Sequence, residues 1–417
     1  MTERRSRRSP DGGAYGRQMV ADETDKELTQ VGPGTPAGEL LRRYWHPVDL
    51  SAKVTARPKQ IRILGEDLIL FRDGQDRPGL LTPHCAHRGA SLYYGKVDDD
   101  GIRCCYHGWQ FDVEGHCLDQ PCEPGGGVGK DRIRQPWYPL EERYGMVFAY
   151  MGPPEKKSVL PHWDVLEHLD DGESIFVHGY TGFGVGADDA VRIVPMNWLR
   201  NWENIMDPFH VPMLHARHSA VQYTPEAAHL PKVSYANTEL GLNYIAHRKT
   251  GEGRDVERVS STVVPSLILV PDQQLNITGP TTYIRWLVPV DDNHHCIFHA
   301  MRVPPGVDGD ALFKKSSRPM PMGTSKLWSE MTDDEHQRFP TDWEAMCGQG
   351  SIEEHLDENL ETSDRGIVQL RKMLRQQIEI VRDGGDPMGV TFDVAQRVFK
   401  TDAGNYYLTP ETTVPAE

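Results

Sequence analysis

Two short motifs of cysteine and histidine stand close together near residue 100. The first motif reads Cys-Ala-His at 85–87, and the second reads Cys-Cys-Tyr-His at 104–107. Two cysteines on one iron and two histidines on the other are the ligand set of a Rieske-type [2Fe-2S] centre, in which imidazole ligands raise the reduction potential. The predicted cluster ligands are Cys85, His87, Cys104 and His107. The chemistry that these residues predict is electron transfer.

A structural zinc site is the alternative for the same four residues. Zinc sites usually pair two cysteines separated by two to four residues and two histidines separated by three to five. Here each cysteine is instead paired with its own histidine, and Gly89, Gly101 and Gly108 allow the backbone to bend tightly nearby. This spacing favours a diiron cluster over zinc.

A second group of residues whose side chains can bind a metal lies about 100 residues further along the chain. His210 and His215 stand five residues apart, and Asp207 precedes the first by three. On a helical or slightly distorted stretch, all three side chains can project towards one side. Two histidines and a distant carboxylate form the facial triad of mononuclear non-haem Fe(II) oxygenases, which leaves positions open for dioxygen. The two histidines are therefore predicted iron ligands.

The third iron ligand is expected in the acidic segment 351–367. Most carboxylates there are predicted to form the solvated face of a helix N-terminus. Asp364 is preferred because it opens a strongly periodic helix that would hold a carboxylate of the first turn rigidly. Asp357 and Glu361 are the reserves, and a plain N-cap is the alternative role for Asp364.

The motifs resemble those of a known family. CAHRGASLYYG followed by CCYHGWQFDVEGHCLDQP resembles the cluster-binding segment of the Rieske non-haem iron oxygenases, and E-N-x-x-D-x-x-H-x-x-x-x-H from Glu203 to His215 resembles their iron-binding helix. GELLRRYWHPV before the cluster and SDRGI near the end are similar to α subunits of the phthalate dioxygenase branch. That branch includes O-demethylases of lignin-derived aromatic acids.

The resemblance implies roles for individual residues. It points to the same four cluster ligands, and it implies that Cys105 is not a ligand because the family usually has Pro or Val there. It places the iron ligands at His210 and His215 rather than His218, and it also points to Asp364. By the same resemblance, Asp207 lies beside the iron and bonds His107 of a neighbouring subunit, so a homotrimer or larger head-to-tail ring is implied.

The expected fold class is α+β, with a small antiparallel β Rieske domain and a larger catalytic domain whose antiparallel sheet is flanked by helices. We expect a disordered leader at 1–27, an N-terminal helix and the Rieske domain at 28–154, and a catalytic mononuclear iron domain at 155–417. The length of 417 residues is sufficient for two domains with cores of their own.

Composition excludes several classes of function. The net charge of −16 disfavours nucleic acid and anionic membrane surfaces as partners. Apolar runs do not reach the roughly 18 residues of a membrane span. The seven cysteines are odd in number and four crowd the cluster segment, which indicates a reducing compartment and predicts a cytoplasmic protein.

The sequence therefore predicts the terminal oxygenase of a multi-component system that uses O2 on a small aromatic carboxylate. The chain carries no dinucleotide fingerprint, so an NAD(P)H-dependent flavin and iron-sulfur reductase is the expected partner. O-demethylation of a methoxylated aromatic acid is the leading reaction, ring hydroxylation of a phthalate-like acid is the second, and a Rieske-type electron carrier is the alternative from another class. Candidates for a carboxylate-binding fork are Arg200, Arg217, Arg248 and Arg285.

Overall fold

The structure is a computed structural model, and it describes residues 23–180, 193–218, 224–249, 255–272, 278–312, 331–350 and 358–408. Within these residues, every helix is too short or too polar to span a lipid bilayer. Most of the predicted leader, 1–22, lies outside the described residues.

Eight α-helices are described, and one of them continues into a π-helix. Their bounds are α1 Glu23–Thr29, α2 Pro36–Leu41, α3 Asp164–Glu167, α4 Trp198–Ile205, α5 His210–Pro212, α6 Asp333–Arg338, α7 Asp342–Cys347 and α8 Arg365–Arg382, with the π-helix at Met213–His218 directly after α5. Helix α1 extends into the predicted leader because Leu28 is buried and Glu27 pairs with Arg382 at 3.1 Å. Helix α2 begins after its N-cap Thr35, as the sequence predicts.

Twenty-one strands complete the described secondary structure. In the N-terminal part they are β1 Trp45–Leu50, β2 Lys59–Ile63, β3 Glu66–Arg72, β4 Pro78–Leu81, β5 Lys96–Asp98, β6 Gly101–Arg103, β7 Gln110–Phe111, β8 Cys117–Asp119, β9 Leu140–Arg143 and β10 Met146–Tyr150. In the remainder they are β11 His162–Trp163, β12 Ser174–Tyr180, β13 Lys232–Asn237, β14 Gly241–Lys249, β15 Asp255–Val263, β16 Leu267–Leu269, β17 Gly279–Pro280, β18 Tyr283–Asp291, β19 His294–Val303, β20 Val398–Phe399 and β21 Gly404–Leu408.

Three small antiparallel sheets form the N-terminal domain, with strand orders β1-β10-β9, β2-β3-β4 and β5-β6-β7-β8. The last two sheets contribute to a small separate hydrophobic core that also contains Cys85 and Cys104. Its buried members include Ile69, Phe71, Leu81, Leu92, Ile102 and Phe111. The two cysteine motifs therefore lie on a core of their own, as expected for a compact cluster domain.

The second part of the chain is built on a nine-stranded sheet. Its main path is β12-β19-β18-β16-β15-β14-β13, with β21 beside β15 and β17 beside β21. All of these pairs are antiparallel. The expected antiparallel sheet of the larger part of the chain and the α+β fold class are confirmed.

Helix α4 lies across one face of this sheet. Trp202 is fully buried, and its indole N–H donates to the Leu267 carbonyl at 2.9 Å. Asn201 and His295 share a hydrogen bond of 2.9 Å between Nδ2 and Nε2. At the end of the helix, the Tyr235 hydroxyl donates to the Met206 carbonyl at 3.4 Å. The sheet thus fixes α4 at its middle and at its C-terminal end, directly before the predicted iron ligands.

Candidate metal centres

The first cysteine motif forms a tight loop closed by backbone hydrogen bonds. The Cys85 N–H donates to the Ala90 carbonyl at 2.9 Å, and the Gly89 N–H returns to the Cys85 carbonyl at 2.8 Å. Gly89 has φ of 75°, a conformation that disfavours a side chain. The buried Gln135 side chain braces this loop because its Oε1 accepts from the Ala86 N–H at 2.8 Å.

The second motif repeats this backbone arrangement. The Cys104 N–H donates to the Trp109 carbonyl at 2.8 Å, the Gly108 N–H returns to the Cys104 carbonyl at 3.1 Å, and Gly108 again has φ of 75°. Cys104 is buried whereas Cys105 is exposed. Burial beside Cys85 therefore supports Cys104 rather than Cys105 as the ligand.

The loops bring the two imidazoles together above the two thiols. The ring centroids of His87 and His107 are 4.6 Å apart, and Trp109 stacks on His87 at 4.3 Å with an interplanar angle of 5°. Burial, reinforced by the neighbouring Cys104, raises the pKa of the Cys85 thiol to about 11. Such thiols become thiolates when a metal coordinates them.

Burial divides the four predicted ligands into two pairs. Cys85 and Cys104 are buried, whereas His87 and His107 are partly exposed. This division fits a diiron cluster in which two thiolates hold an inner iron and two imidazoles hold an outer iron.

The predicted iron histidines lie where α5 passes into the π-helix. His210 begins α5, and the buried His215 lies within Met213–His218. A π-helix hydrogen-bonds residues i and i+5, which brings side chains of that spacing closer to one face, and such turns are frequent at functional sites. The two ring centroids are 5.3 Å apart.

Asp342 supplies the carboxylate at this site. Its Oδ1 lies 3.0 Å from Nε2 of His215 and 3.3 Å from Nε2 of His210, and the three ligand atoms lie within 4.8 Å of one another. The Asn204 amide also donates to Asp342 Oδ1 at 3.3 Å. Two imidazoles and one carboxylate on the same side of an iron ion form a facial triad, which leaves the other coordination positions of the iron open.

The preferred third ligand, Asp364, is corrected to Asp342. Asp364 is not in this group, and its Oδ2 accepts instead from the Glu361 N–H at 2.7 Å, directly before α8. Glu361 is exposed and forms the other half of this capping box. The reserve Asp357 lies outside the described residues. Asp364 thus has the capping role that was its alternative interpretation.

Asp207 orients His210 from the side opposite Asp342. Its Oδ1 accepts from the N–H groups of Phe209 at 2.9 Å and His210 at 3.3 Å, and its Oδ2 lies 3.6 Å from His210 Nδ1. The hydrogen bond of His210 Nδ1 itself is with the main-chain carbonyl of Asp207 at 2.5 Å. An acceptor behind a ligating histidine fixes the tautomer and the ring orientation, and the Asp207 carboxylate fixes the backbone that presents this carbonyl. The geometry within one chain therefore supports Asp207 as a positioning residue.

His210 and Asp342 shift each other's pKa in opposite directions. Burial lowers the pKa of His210, but its hydrogen bonds with Asp207 and Asp342 outweigh burial and raise that pKa to about 10. Burial raises the pKa of Asp342, but the imidazoles of His215 and His210 hold it well below its usual range. A carboxylate that stays ionised in a buried site is suited to a dication.

Comparison with known proteins identifies the family of this chain. A family model for the Rieske [2Fe-2S] domain matches residues 44–136. The phenoxybenzoate dioxygenase subunit alpha of Ectopseudomonas oleovorans is 49% identical over 408 residues, which cover 97% of this chain and 96% of that protein. The chain belongs to the Rieske oxygenases.

Other Rieske oxygenases share the length and the fold of this one. The 5,5'-dehydrodivanillate O-demethylase oxygenase subunit of Sphingobium sp. is 31% identical over 400 residues, covering 90% of this chain and 85% of that protein. The crystal structure of dicamba monooxygenase bound to dicamba matches with a TM-score of 0.58 at 15% identity, covering 82% of this chain and 99% of that chain. This Rieske oxygenase is therefore an oxidoreductase with a [2Fe-2S] cluster and a mononuclear iron.

A buried charge network holds the iron-binding helix of this oxygenase against α8. The Arg371 guanidinium donates from Nε and Nη2 to the Glu203 carboxylate at 2.5 and 2.8 Å. It also donates from Nη1 and Nη2 to Glu358 at 2.5 and 3.1 Å. Glu203 is part of the iron-helix motif, and its role in the structure is this bidentate ion pair.

The positions of Arg200, Arg217 and His218 do not support a role in substrate binding. Arg200 is buried and donates to the Gly350 carbonyl, so it ties α4 to the segment after α7. Arg217 and His218 are exposed on the π-helix. Arg248 and Arg285 lie on the large sheet.

Sequence reasoning missed Asp342 although the chain carries a local signal for it. Thr341 and Glu344 form a capping box around Asp342, in which the Thr341 N–H donates to Glu344 Oε2 at 2.6 Å. The pattern T-x-x-E marks a helix start, and Asp342 is the acidic residue of its first turn. The carboxylate was expected in the acidic segment 351–367, which begins four residues after this helix ends.

Proposed function

We propose that this chain is the terminal oxygenase component of a system that oxygenates an aryl ether carboxylic acid. The observation that carries the proposal is the presence in one chain of a Rieske ligand set and of the triad His210, His215 and Asp342. The relationship to a phenoxybenzoate dioxygenase subunit supports an aryl ether acid as the substrate class.

The ligand roles follow from burial and geometry. In this proposal Cys85 and Cys104 hold the inner iron of the cluster, and His87 and His107 hold the outer iron. The catalytic iron takes the two histidines of the triad and Asp342. When bound, the cluster supplies electrons and the mononuclear iron supplies open coordination positions for dioxygen.

Asp207 connects the two centres in the proposed assembly. Its carboxylate is partly exposed beside His210, and His107 is partly exposed at the surface of the cluster domain. We infer that Asp207 of one subunit bonds His107 of its neighbour in a head-to-tail ring, as a homotrimer or a larger closed ring. Electrons then cross a subunit boundary over a short path.

The reductase is a separate protein in this proposal. The chain carries no dinucleotide-binding fingerprint, so an NAD(P)H-dependent flavin and iron-sulfur reductase has to deliver the electrons. The outer histidines of the cluster offer a place of entry because they are only partly buried.

Oxygenation at a carbon bonded to an ether oxygen accounts for the proposed reaction. A new hydroxyl on that carbon gives a hemiacetal, and its collapse breaks the carbon–oxygen bond and releases a hydroxyl compound. On a diaryl ether, O2 with two electrons from the reductase and two protons adds one hydroxyl to the ring carbon that bears the ether oxygen and one to the adjacent carbon. Collapse of this diol releases a phenol that keeps the ether oxygen and leaves a dihydroxylated ring. On a methyl ether, one oxygen atom enters a C–H bond and the other leaves as water, and the collapse releases formaldehyde. This second reaction is O-demethylation, and the similarity to the dehydrodivanillate O-demethylase subunit favours it as the second candidate.

Single turnover tests the proposal without the native reductase. The dithionite-reduced holoprotein is mixed with O2 and either 3-phenoxybenzoate or 3-methoxybenzoate, and products are identified by mass spectrometry with 18O2. From the diaryl ether we expect a dihydroxylated aromatic product that carries 18O together with an unlabelled phenol, which keeps the ether oxygen. From the methyl ether we expect formaldehyde. A labelled ring diol with the ether intact would instead support the hydroxylation of a phthalate-like acid, and no labelled product from any aromatic acid would contradict the proposal.

A further inference from the structure

Two buried arginines of the large sheet have no acidic partner among the residues that the structure describes. Arg248 on β14 and Arg258 on β15 are 7% and 9% exposed. Within the described part of the chain, neither forms an ion pair with a carboxylate. The hydrogen bond of Arg248 there is a long one, from Nε to the His229 carbonyl at 3.4 Å.

Arg258 is held by neutral groups. Its Nη1 and Nη2 donate to the carbonyls of Asp272 and Pro271 and to Asn405 Oδ1, at 3.1, 2.6 and 3.1 Å. These contacts fix the direction of the guanidinium but leave its charge uncompensated. An arginine remains charged at any physiological pH, so burial without a counterion is unfavourable unless an anion binds.

Tyr244 lies on the same face of the sheet as the two arginines and responds to both charges. Burial alone would raise the pKa of Tyr244, but Arg258, Ser260 and Arg248 together hold it below its usual value. The local field is therefore positive at the centre of this cluster. Such a field attracts a carboxylate.

The register of the sheet places the cluster on the face that α4 covers. Tyr244 pairs with Tyr235 on one side and with Ser260 on the other, so these three share a face. Arg258 lies two residues from Ser260 and opposite Ala246, on that same face. Tyr235 contacts the Met206 carbonyl, one residue before Asp207.

A third cation lies on this face nearer the middle of the sheet. Arg285 is the register partner of Ile268, and Ile268 is the register partner of Thr262. Because Thr262 lies two residues from Ser260 on β15, Arg285 is on the same face of the sheet as Ser260. Its Nε donates to the neutral His299 Nδ1 at 3.2 Å, and its guanidinium lies 5.0 Å from the centroid of Tyr283. The covered face is thus cationic and aromatic.

We propose that Arg248 and Arg258 bind the carboxylate of the aromatic substrate, whose ring extends from Tyr244 towards His210 and Asp342. The inference rests on the proposed function and identifies the side chains that select an acid. Planar guanidiniums match a carboxylate through paired hydrogen bonds, and the aromatic side chains of this face suit the ring.

Anaerobic calorimetric binding to the holoprotein tests this inference. The ligands are 3-phenoxybenzoate and its neutral isostere 3-phenoxybenzamide. The wild-type protein should bind the acid about 10- to 100-fold more tightly than the amide, the range of charge-assisted hydrogen bonds. Arg248→Met should remove this preference and leave amide binding unchanged. The matched control is Arg382→Met, which changes an exposed arginine of α8 and should retain the preference.

A conservative variant controls for misfolding of Arg248→Met. Arg248→Lys keeps the charge but not the fork, so it should retain part of the preference for the acid. Iron content and the visible absorption of the cluster check the integrity of each variant. The inference is overturned if Arg248→Met keeps the full preference, or if the wild-type protein shows none. Those results leave the oxygenase proposal standing whenever the wild-type protein still converts aryl acids in single turnover.

Discussion

At the scale of residues, the iron site depends on the capping box of α7, which fixes the position of the Asp342 carboxylate. Asp342 is the first residue of α7, and the capping box of Thr341 and Glu344 sets the backbone around it. Its carboxylate reaches both His210 and His215 from this fixed position. A rigid first turn costs less conformational entropy on metal binding than a mobile acidic segment would.

Asp207→Ala should separate electron transfer from cluster assembly. The variant should retain the visible absorption of the cluster, whereas steady-state turnover should fall by about 100-fold or more, the upper range for loss of a carboxylate behind a metal ligand. The physical reason is that the proposed path from His107 loses its bridge and the Phe209 and His210 N–H groups lose their carboxylate acceptor, which loosens the backbone that presents His210. Stopped-flow reoxidation of the reduced cluster measures the effect directly.

Two further variants of this prediction separate charge from local folding. Asp207→Asn retains an oxygen that can accept from the Phe209 and His210 N–H groups, so it should preserve the local backbone and still slow electron transfer. Asp334→Ala, a change of an exposed aspartate on α6, should have no effect. Full activity of Asp207→Ala would remove both the orienting role and the bridge.

At the scale of elements, α4 and α8 are joined by the buried network around Arg371. Arg371→Met should lower stability by about 3–5 kcal/mol because Glu203 would remain buried and unpaired. The double variant with Glu203→Gln should recover much of this loss, since it removes the buried charge as well. Thermal denaturation followed by circular dichroism measures both, and equal stability of the single variant and the wild-type protein would contradict the prediction.

Helix α4 and β19 are joined by a neutral buried histidine, which gives stability a pH dependence. Burial lowers the pKa of His295 to about 4 and that of His46 likewise to about 4. The unfolded chain, with ordinary histidine pKa values of about 6.5, binds more protons between these limits. Stability should be full above pH of about 6.5 and should fall as the pH drops towards 4.

Urea denaturation across this pH range tests the histidine prediction. His295→Gln keeps a hydrogen-bonding side chain near Asn201 but removes one titrating group, so its stability should depend less steeply on pH than that of the wild-type protein. A parallel pH dependence in the two proteins would show that His295 is not responsible.

Local patterns predicted those elements whose signals lie within a short stretch. The paired cysteine motifs, the helix after Asp364 and the strands of the large sheet follow from spacing and alternation, and the structure contains all of them. Asp342 could not be placed in the same way because it lies 127 residues after His215, and only tertiary packing brings α7 to the π-helix. The capping pattern indicates in the sequence where α7 begins, but it does not indicate where α7 packs in the fold.

At the scale of the whole molecule, a small core lies under the cluster motifs, whereas strands β1, β2 and β10 belong to the main core that also contains the large sheet. Mixed oligomers test the proposed transfer between subunits. Cys104→Ser should lack the cluster and Asp342→Ala should lack the catalytic iron, so each variant alone should be inactive. Co-expressed with different tags and purified as mixed oligomers, they should recover part of the activity. Mixed oligomers that stay inactive would place electron transfer within one chain.

The central claim is that one chain carries both metal centres, with Asp342 completing the second. Iron and acid-labile sulfide per chain, together with an EPR spectrum after dithionite reduction, test it most directly. The wild-type protein should contain about three irons and about two sulfides with a Rieske signal. Asp342→Ala should lose about one iron and keep the signal, while Asp364→Ala should retain all three. Loss of iron from the Asp364 variant with none lost from the Asp342 variant would contradict the account.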